Sequence, residues 1–354
     1  MPGVRYVVRE EMPAFTRDAI ESYYRELADF TEQGYVPPLP PANFLALSGG
    51  GDKGAFGAGL LCGWTAAGTR PEFKVVTGIS TGALIAPFAF LGSEYDTALR
   101  EVYTQTAPKD ILEARNVLAA LFEDAMASNA PLGRLVEKYI TGDLLREIAR
   151  EYEKGRILLV ATTNLDTLQA VIWNMTKIAA NGHPGARALF QKIMLASSAI
   201  PGAFPPVMID VEVGGKRYQE MHVDGGAMAQ VFLYPPSLRV AEISNQRGVA
   251  RERRLYVIRN ARLDPEWAEV ERRTLSIAGR AISSLIQTQG IGDLYKIYLE
   301  AQRDGIDFNL AYIPKGFNVP HKENFDTEYM RKMFQTGYEL AAEGYRWKKT
   351  PPGL

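Results

Sequence analysis

The chain has 354 residues, 46% of them hydrophobic, a formal net charge of −1 and a single cysteine, Cys62. A chain this long can bury roughly 75% of its unfolded surface, so its core needs no disulfide or metal staples, and a lone cysteine can make no internal disulfide. Near-neutral charge argues against a nucleic-acid partner recognised by phosphate neutralisation, and no run of about 18 apolar residues is present to span a membrane.

No basic-then-apolar leader follows Met1, so the default expectation is a cytoplasmic or peripheral membrane protein, exported only if a leader was removed. Residues 1–43 are polar and punctuated by proline. Residues 18–31 predict a helix, and Pro37, Pro38, Pro40 and Pro41 enforce an extended approach to the first strand. That strand is predicted, as a buried one, by the apolar run 44–47. Gly49, Gly50, Gly51 and Gly54 come next, and 54–64 predicts a helix rich in small residues. Glycines at a strand-to-helix turn let N–H groups come close to a ligand, and a helix start attracts negative charge. A second strand, 73–77, runs into Gly78-Ile79-Ser80-Thr81-Gly82. This G-x-S-x-G elbow holds a serine hydroxyl out at the sheet edge. One element thus offers donors for an anion and the next a nucleophile, as acyl transfer requires.

Helices are expected at 81–91, with Pro87 a kink or early stop, and at 95–103. The stripe 111–126 reads as a helix packed on the core, with a lipid-facing flap as the alternative. Helices at 131–140 and 142–154 precede strands at 156–162 and 168–175, which flank the turn Asn164-Leu165-Asp166. A helix at 186–197 leads into the stiff loop 200–206. Strands 207–213 and 217–223 form a hairpin around Gly214-Gly215, and Asp224-Gly225-Gly226 closes it. The remainder predicts a helix at 237–246, a strand at 254–259, helical stretches over 265–303, a strand at 308–313 and a helix at 327–346. Alternating strands and helices imply an α/β fold with a mostly parallel sheet covered on both faces and an antiparallel edge near 207–223. The expected organisation is an arm at 1–43, a catalytic domain at 44–314 and a helical extension at 315–354 packed on that domain.

Gly49, Gly51 and Gly54 also match G-x-G-x-x-G. A dinucleotide site would need an acidic residue about 20 positions on, where the next strand ends, and that strand ends in Thr77-Gly78-Ile79-Ser80. Lys53 precedes the last glycine with no Ser or Thr after it, so the loop fails the Walker spacing as well. Ser80 needs a base. His183, in Asn-Gly-His-Pro-Gly, reads as a surface turn, and His222 as a packed strand-end histidine. His321 suits the chain order serine, acid, histidine and stands as a rival base. Asp224 is preferred. It ends a strand, Gly225 and Gly226 leave room for another loop, and a carboxylate near Ser80 Oγ can take its proton. An ordinary Asp, with a pKa of about 3.9, is a weak base, and burial raises it.

Taken together, Ser-Gly-Gly-Gly-Asp-Lys-Gly at 48–54, Gly-Ile-Ser-Thr-Gly at 78–82, Asp-Gly-Gly at 224–226 and the proline-rich block 196–206 resemble the patatin-like phospholipases over about residues 43–230. The resemblance implies a three-layer α/β/α sandwich and a serine–aspartate dyad that hydrolyses acyl esters of lipids without metal or other cofactor. By position, it makes Ser80 the nucleophile and Asp224 the base. It assigns the oxyanion hole to the loop of Gly49, Gly50, Gly51, Asp52, Lys53 and Gly54, with Gly78, Gly82, Gly225 and Gly226 as motif glycines. Lys53 is the loop's basic residue, either pairing with a lipid phosphate or facing solvent. Gly226 stands where many relatives have alanine. The expected partner is a lipid ester, with peripheral membrane contact compatible and the oligomeric state unread. The alternatives are an acyltransferase using the same dyad and a dinucleotide-binding protein using the Gly49 to Gly54 loop.

Overall fold

The computed structural model describes residues 1, 3–8, 10–36, 38–114, 127–267 and 269–354. In chain order these build β1 (Arg5–Val7), α1 (Met12–Glu32), β2 (Ala42–Leu47), α2 (Gly54–Ala66), β3 (Val75–Gly78), α3 (Thr81–Leu91) and α4 (Asp96–Gln105). The two-residue strands β4 (Glu113–Ala114) and β5 (Ala127–Ser128) come next, then α5 (Ala130–Tyr139), α6 (Gly142–Glu153), β6 (Ile157–Asn164), β7 (Gln169–Asn174), α7 (Met175–Ala180) and α8 (Ala186–Ser197). The chain continues with β8 (Val207–Val213), β9 (Lys216–Asp224), α9 (Val240–Gln246), β10 (Arg253–Arg259), α10 (Thr274–Arg303), β11 (Asp307–Tyr312) and α11 (Thr327–Ala342).

The main sheet runs β1-β7-β6-β3-β2-β10-β11. Its strands from β6 to β11 are parallel, whereas β7 and β1 form an antiparallel margin and the β8–β9 hairpin joins β6. Alternate residues of one strand feed two separate cores. Leu45 and Leu47 pack on one face of the sheet, Phe44 and Ala46 on the other. Strands buried on both faces read as unbroken apolar runs, which is why 44–47 and 156–162 were legible without a period-two pattern. Helices therefore cover both faces, and the fold is the α/β/α sandwich expected.

Helix α2 is buried nearly all round and approaches α11 at backbone distance. A Cβ at Gly59 would lie 2.0 Å from the Phe334 carbonyl oxygen, and one at Gly63 2.1 Å from that of Tyr338. Only glycine permits that approach. The strand β1 was not expected, since three residues are too few to show a period. It pairs with β7, and α1 is held by Glu26, which accepts from Arg251 Nη1 and Nη2 at 2.8 Å each. Helix α10 starts at Thr274 rather than 265, and α11 ends at Ala342 rather than 346. Most of the stripe 111–126 lies outside the described residues. Among the described residues no helix is long and apolar enough to cross a membrane.

Candidate active site

Strand register brings positions 80 and 224 together. Gly78 pairs with Val160 of β6, and Asp224 pairs with Thr162, two residues further along. Thr162 is also paired with Val171 of β7, so Asp224 occupies the opposite edge of β6, the one β3 has just vacated. Ser80 is likewise two residues beyond Gly78. Strand β9 thus fills the place that β3 leaves when the chain turns into α3, and the two side chains arrive at one level.

Ser80 is 6% exposed and Asp224 4%. Ser80 has φ 55° and ψ −125°, a left-handed backbone that costs a non-glycine residue about 1–3 kcal/mol. The surroundings hold it there. Its N–H donates to Ser197 Oγ at 3.1 Å, and Ser197 Oγ donates to the Ala161 carbonyl at 2.8 Å. A Cβ at Gly82 would lie 2.3 Å from the Leu47 carbonyl oxygen, so only glycine lets α3 start this close to β2. The proline-rich block also reaches Asp224, whose N–H donates to the Ala199 carbonyl at 2.9 Å.

Burial pushes the Asp224 carboxyl up to about 6, and the neighbouring Ser80 hydroxyl and the Gly226 N–H only partly offset that. The Gly226 bond to Oδ1 is 2.7 Å long. Such a carboxylate accepts a proton far more readily at neutral pH than an exposed aspartate does.

The glycine loop lies against the serine, for a Cβ at Gly49 would sit 3.3 Å from Ser80 Cβ. Its six residues do not act alike. The Gly49 N–H donates to the Gln230 carbonyl at 2.9 Å, the Lys53 N–H to Gly50 and the Gly54 N–H to Gly51. The N–H groups of Gly50, Gly51 and Asp52 have no protein partner among the described residues. Of the six residues expected to form an oxyanion hole, these three are the ones whose N–H groups are left without a protein partner among the described residues. The Asp52 side chain braces the loop instead, accepting from His321 Nε2 at 2.6 Å and from the Phe325 N–H at 3.0 Å. Lys53 Nζ pairs with both Glu266 oxygens at 2.9 Å, so contact with a headgroup would first require that pair to open.

The histidines fall elsewhere. His321, the rival base, has its Nε2 on Asp52 and not on Ser80, and that bond holds its pKa above the ordinary range. His222 is fully buried between Thr162 Oγ1 at 2.9 Å and Glu220 at 3.1 Å, with its pKa lowered by burial. His183 accepts from the Gly185 N–H in an exposed turn. Cys62 is buried and its thiol is pushed up to about 12 by desolvation, which makes it a packing residue.

Sequence reasoning missed two supports. Asn260 donates through its side chain to the Ser48 carbonyl at 2.9 Å and through its backbone to Ser48 Oγ at 2.8 Å, while its Oδ1 accepts from the Gly57 N–H. Gln230 Nε2 donates to the Gly226 carbonyl at 2.7 Å, so this one residue ties the glycine loop to the aspartate turn. Asn260 directly follows a strand end, which is where sheet sites gather and the only available signal. Gln230 gives no local signal. Ser197→Ala should leave the Ser80 N–H and the Ala161 carbonyl unpaired and lower stability by about 1–3 kcal/mol. Thermal denaturation reads this, and an unchanged midpoint would remove Ser197 as a support of the elbow.

The family model Patatin, described as patatin-like phospholipase, matches residues 45–235, and the chain belongs to that family. This membership replaces the dinucleotide reading of the Gly49 to Gly54 loop. Among solved structures, VipD from Legionella pneumophila is similar at 12% identity and a TM-score of 0.40, over 86% of this chain and 66% of VipD. The type III effector protein ExoU is similar at 14% identity and a TM-score of 0.18, over 89% of this chain and 56% of ExoU. The chain thus spans less than two thirds of either protein, and such likeness carries no functional argument. No curated protein matches the chain.

Proposed function

We propose that this chain is a serine lipid acyl hydrolase of the phospholipase A or lysophospholipase type, working through Ser80 and Asp224. The observation that carries the reading is the strand register that brings the buried Asp224 carboxyl, raised to about 6, to the level of Ser80. Ser80 Oγ attacks the ester carbonyl as its proton passes to Asp224. The N–H groups of Gly50, Gly51 and Asp52 hold the oxyanion, each donor worth about 2.7–4 kcal/mol by comparison with measured holes. The tetrahedral species collapses, the C–O bond to the alcohol breaks, and Asp224 gives its proton to the leaving oxygen. Water then attacks the acyl-enzyme and yields a proton to Asp224. That proton returns to Ser80 Oγ as the carboxylic acid departs. Transfer to an acceptor alcohol would use the same acyl-enzyme, and product analysis with added alcohol separates the two outcomes.

A fluorophosphonate probe tests the nucleophile. It should label the wild-type chain at Ser80 and leave Ser80→Ala unlabelled, and an inert wild type would end the proposal. A panel of p-nitrophenyl esters and phospholipids of varied chain length then defines the substrate. The rate has a set pH dependence, because the base must be ionised. We expect kcat/KM to rise with pH through about 6 and then level off. A profile flat from about pH 5 to about pH 8 would remove Asp224 as the base.

A further inference from the structure

Helix α10 changes character halfway along. At steps of three and four residues, Gly290, Leu294, Ile297 and Ala301 form one buried row. Carried back toward the helix start, that row becomes Ser276, Arg280, Ser283 and Gln287. Arg280 donates to the Glu266 carbonyl, Gln287 donates to the Arg262 carbonyl at 2.9 Å, and Gln287 Oε1 accepts from Arg259 at 3.2 Å. The first half of the helix is therefore tethered to the body on its polar side through Arg280 and Gln287, although Arg280 and Ser283 remain exposed. Its apolar side faces outward, with Ile277, Ile282, Leu285 and Ile286 exposed by 53, 55, 69 and 40%. Trp267, 88% exposed, lies just ahead of the helix, and Met228, 41% exposed, comes directly after the Asp224 turn.

This surface adjoins the candidate site. Gln289 of α10 accepts from Gln230 Nε2 at 3.4 Å, and Asp293 accepts from the Gln230 N–H at 2.6 Å, so the helix is joined to the residue that ties the two catalytic loops. The first half of the helix itself carries one sign of charge. Residues 272–289 contain Arg272, Arg273 and Arg280 and no carboxylate, whereas Asp264, Glu266, Glu269 and Glu271 lie in the segment before it, with Asp264 paired to Arg262 and Glu266 to Lys53. Glu271 pairs with Arg273, and neither Arg272 nor Arg280 has a carboxylate partner among the described residues.

We infer that the first half of α10, with Trp267, is an interfacial helix that docks on an anionic phospholipid surface and holds the Ser80 site at the bilayer. The inference rests on the lipid acyl hydrolase reading for its purpose, though its geometry stands apart. Lying in the membrane plane, such a helix sinks its apolar side roughly 5–10 Å into the headgroup boundary. Arg272, at the helix start, reaches lipid phosphates, and an exposed tryptophan settles at headgroup level. A wide apolar helix side facing water, with its polar side tethered to the body, has no gain in solution.

The test separates docking from catalysis. In a Ser80→Ala background no lipid is consumed, so co-sedimentation with phosphatidylcholine vesicles, with or without phosphatidylglycerol, reads binding alone. The protein should pellet with the anionic vesicles, its tryptophan emission should shift to the blue, and Ile282→Ser with Leu285→Ser should weaken binding at least tenfold. In the active chain the same pair should lower vesicle hydrolysis and leave p-nitrophenyl butyrate turnover unchanged. Both side chains are exposed, so the core is untouched. Equal pelleting by the parent and the double variant would overturn the inference. So would a dimer in solution that the pair dissociates, since a second copy would then cover the face. A chain that docks as described yet hydrolyses no ester would uphold the docking and sink the hydrolase reading instead.

Discussion

Ser80→Ala is expected to reduce ester hydrolysis on the order of 10⁴- to 10⁶-fold, and Asp224→Asn by about 10⁴-fold, the scale seen when members of other nucleophile–base sets are removed. The two losses should not multiply in the double variant, because one proton transfer needs both groups. Stability should move the other way. The folded pKa of Asp224, about 6, lies above the ordinary value of 3.8, so the folded state binds this proton more tightly than the unfolded chain does. That favourable contribution is complete below about pH 4 and is lost as pH rises through about 6. Above pH 6 the buried charge costs the fold about 3 kcal/mol, an order-of-magnitude figure. Asp224→Asn should therefore melt higher than the parent near pH 8, and the gap should close near pH 4. A variant less stable than the parent at both pH values, or one with unaltered turnover, would count against the assigned role.

Gly50→Ala should reduce kcat about 10²- to 10³-fold, the usual effect of losing one oxyanion donor. The reason is local. A Cβ at position 50 would lie 2.2 Å from the Asn260 carbonyl oxygen, so the loop must move and its unpaired N–H groups with it. Asn260 is itself fixed by Ser48 and Gly57, so it has little room to give. The loss should fall on kcat rather than KM, because an oxyanion forms only in the transition state. Fluorophosphonate labelling should slow in step. Normal turnover by a folded Gly50→Ala chain would place the hole elsewhere.

The fold class and the two candidate side chains were legible for definite reasons. Strands buried on both faces leave unbroken apolar runs, and tight turns demand glycine, so β2, β3 and the turns at 49–54, 78–82 and 224–226 stand out in the chain itself. The hairpin turn was equally plain, because Gly214 and Gly215 both take φ > 0, at 58° and 76°. What failed to show were long-range partners. Nothing near Gln230 announces that its backbone holds Gly49 and its side chain Gly226. Nothing near His321 announces that its ring meets Asp52, a contact that ended its candidacy as a base.

The amino-acid sequence by itself determined that this chain forms an α/β sandwich and which serine and which carboxylate could do chemistry, since strand burial and turn glycines are written in local residue types. Tertiary structure decided the rest. Only the register of β9 against β6 brings Asp224 to the level of Ser80, and only burial there lifts its carboxyl toward neutrality. Which loop amides stay unpaired, and which side of α10 meets water, depends likewise on residues far apart in the chain, because hydrogen bonds and desolvation are set by spatial neighbours.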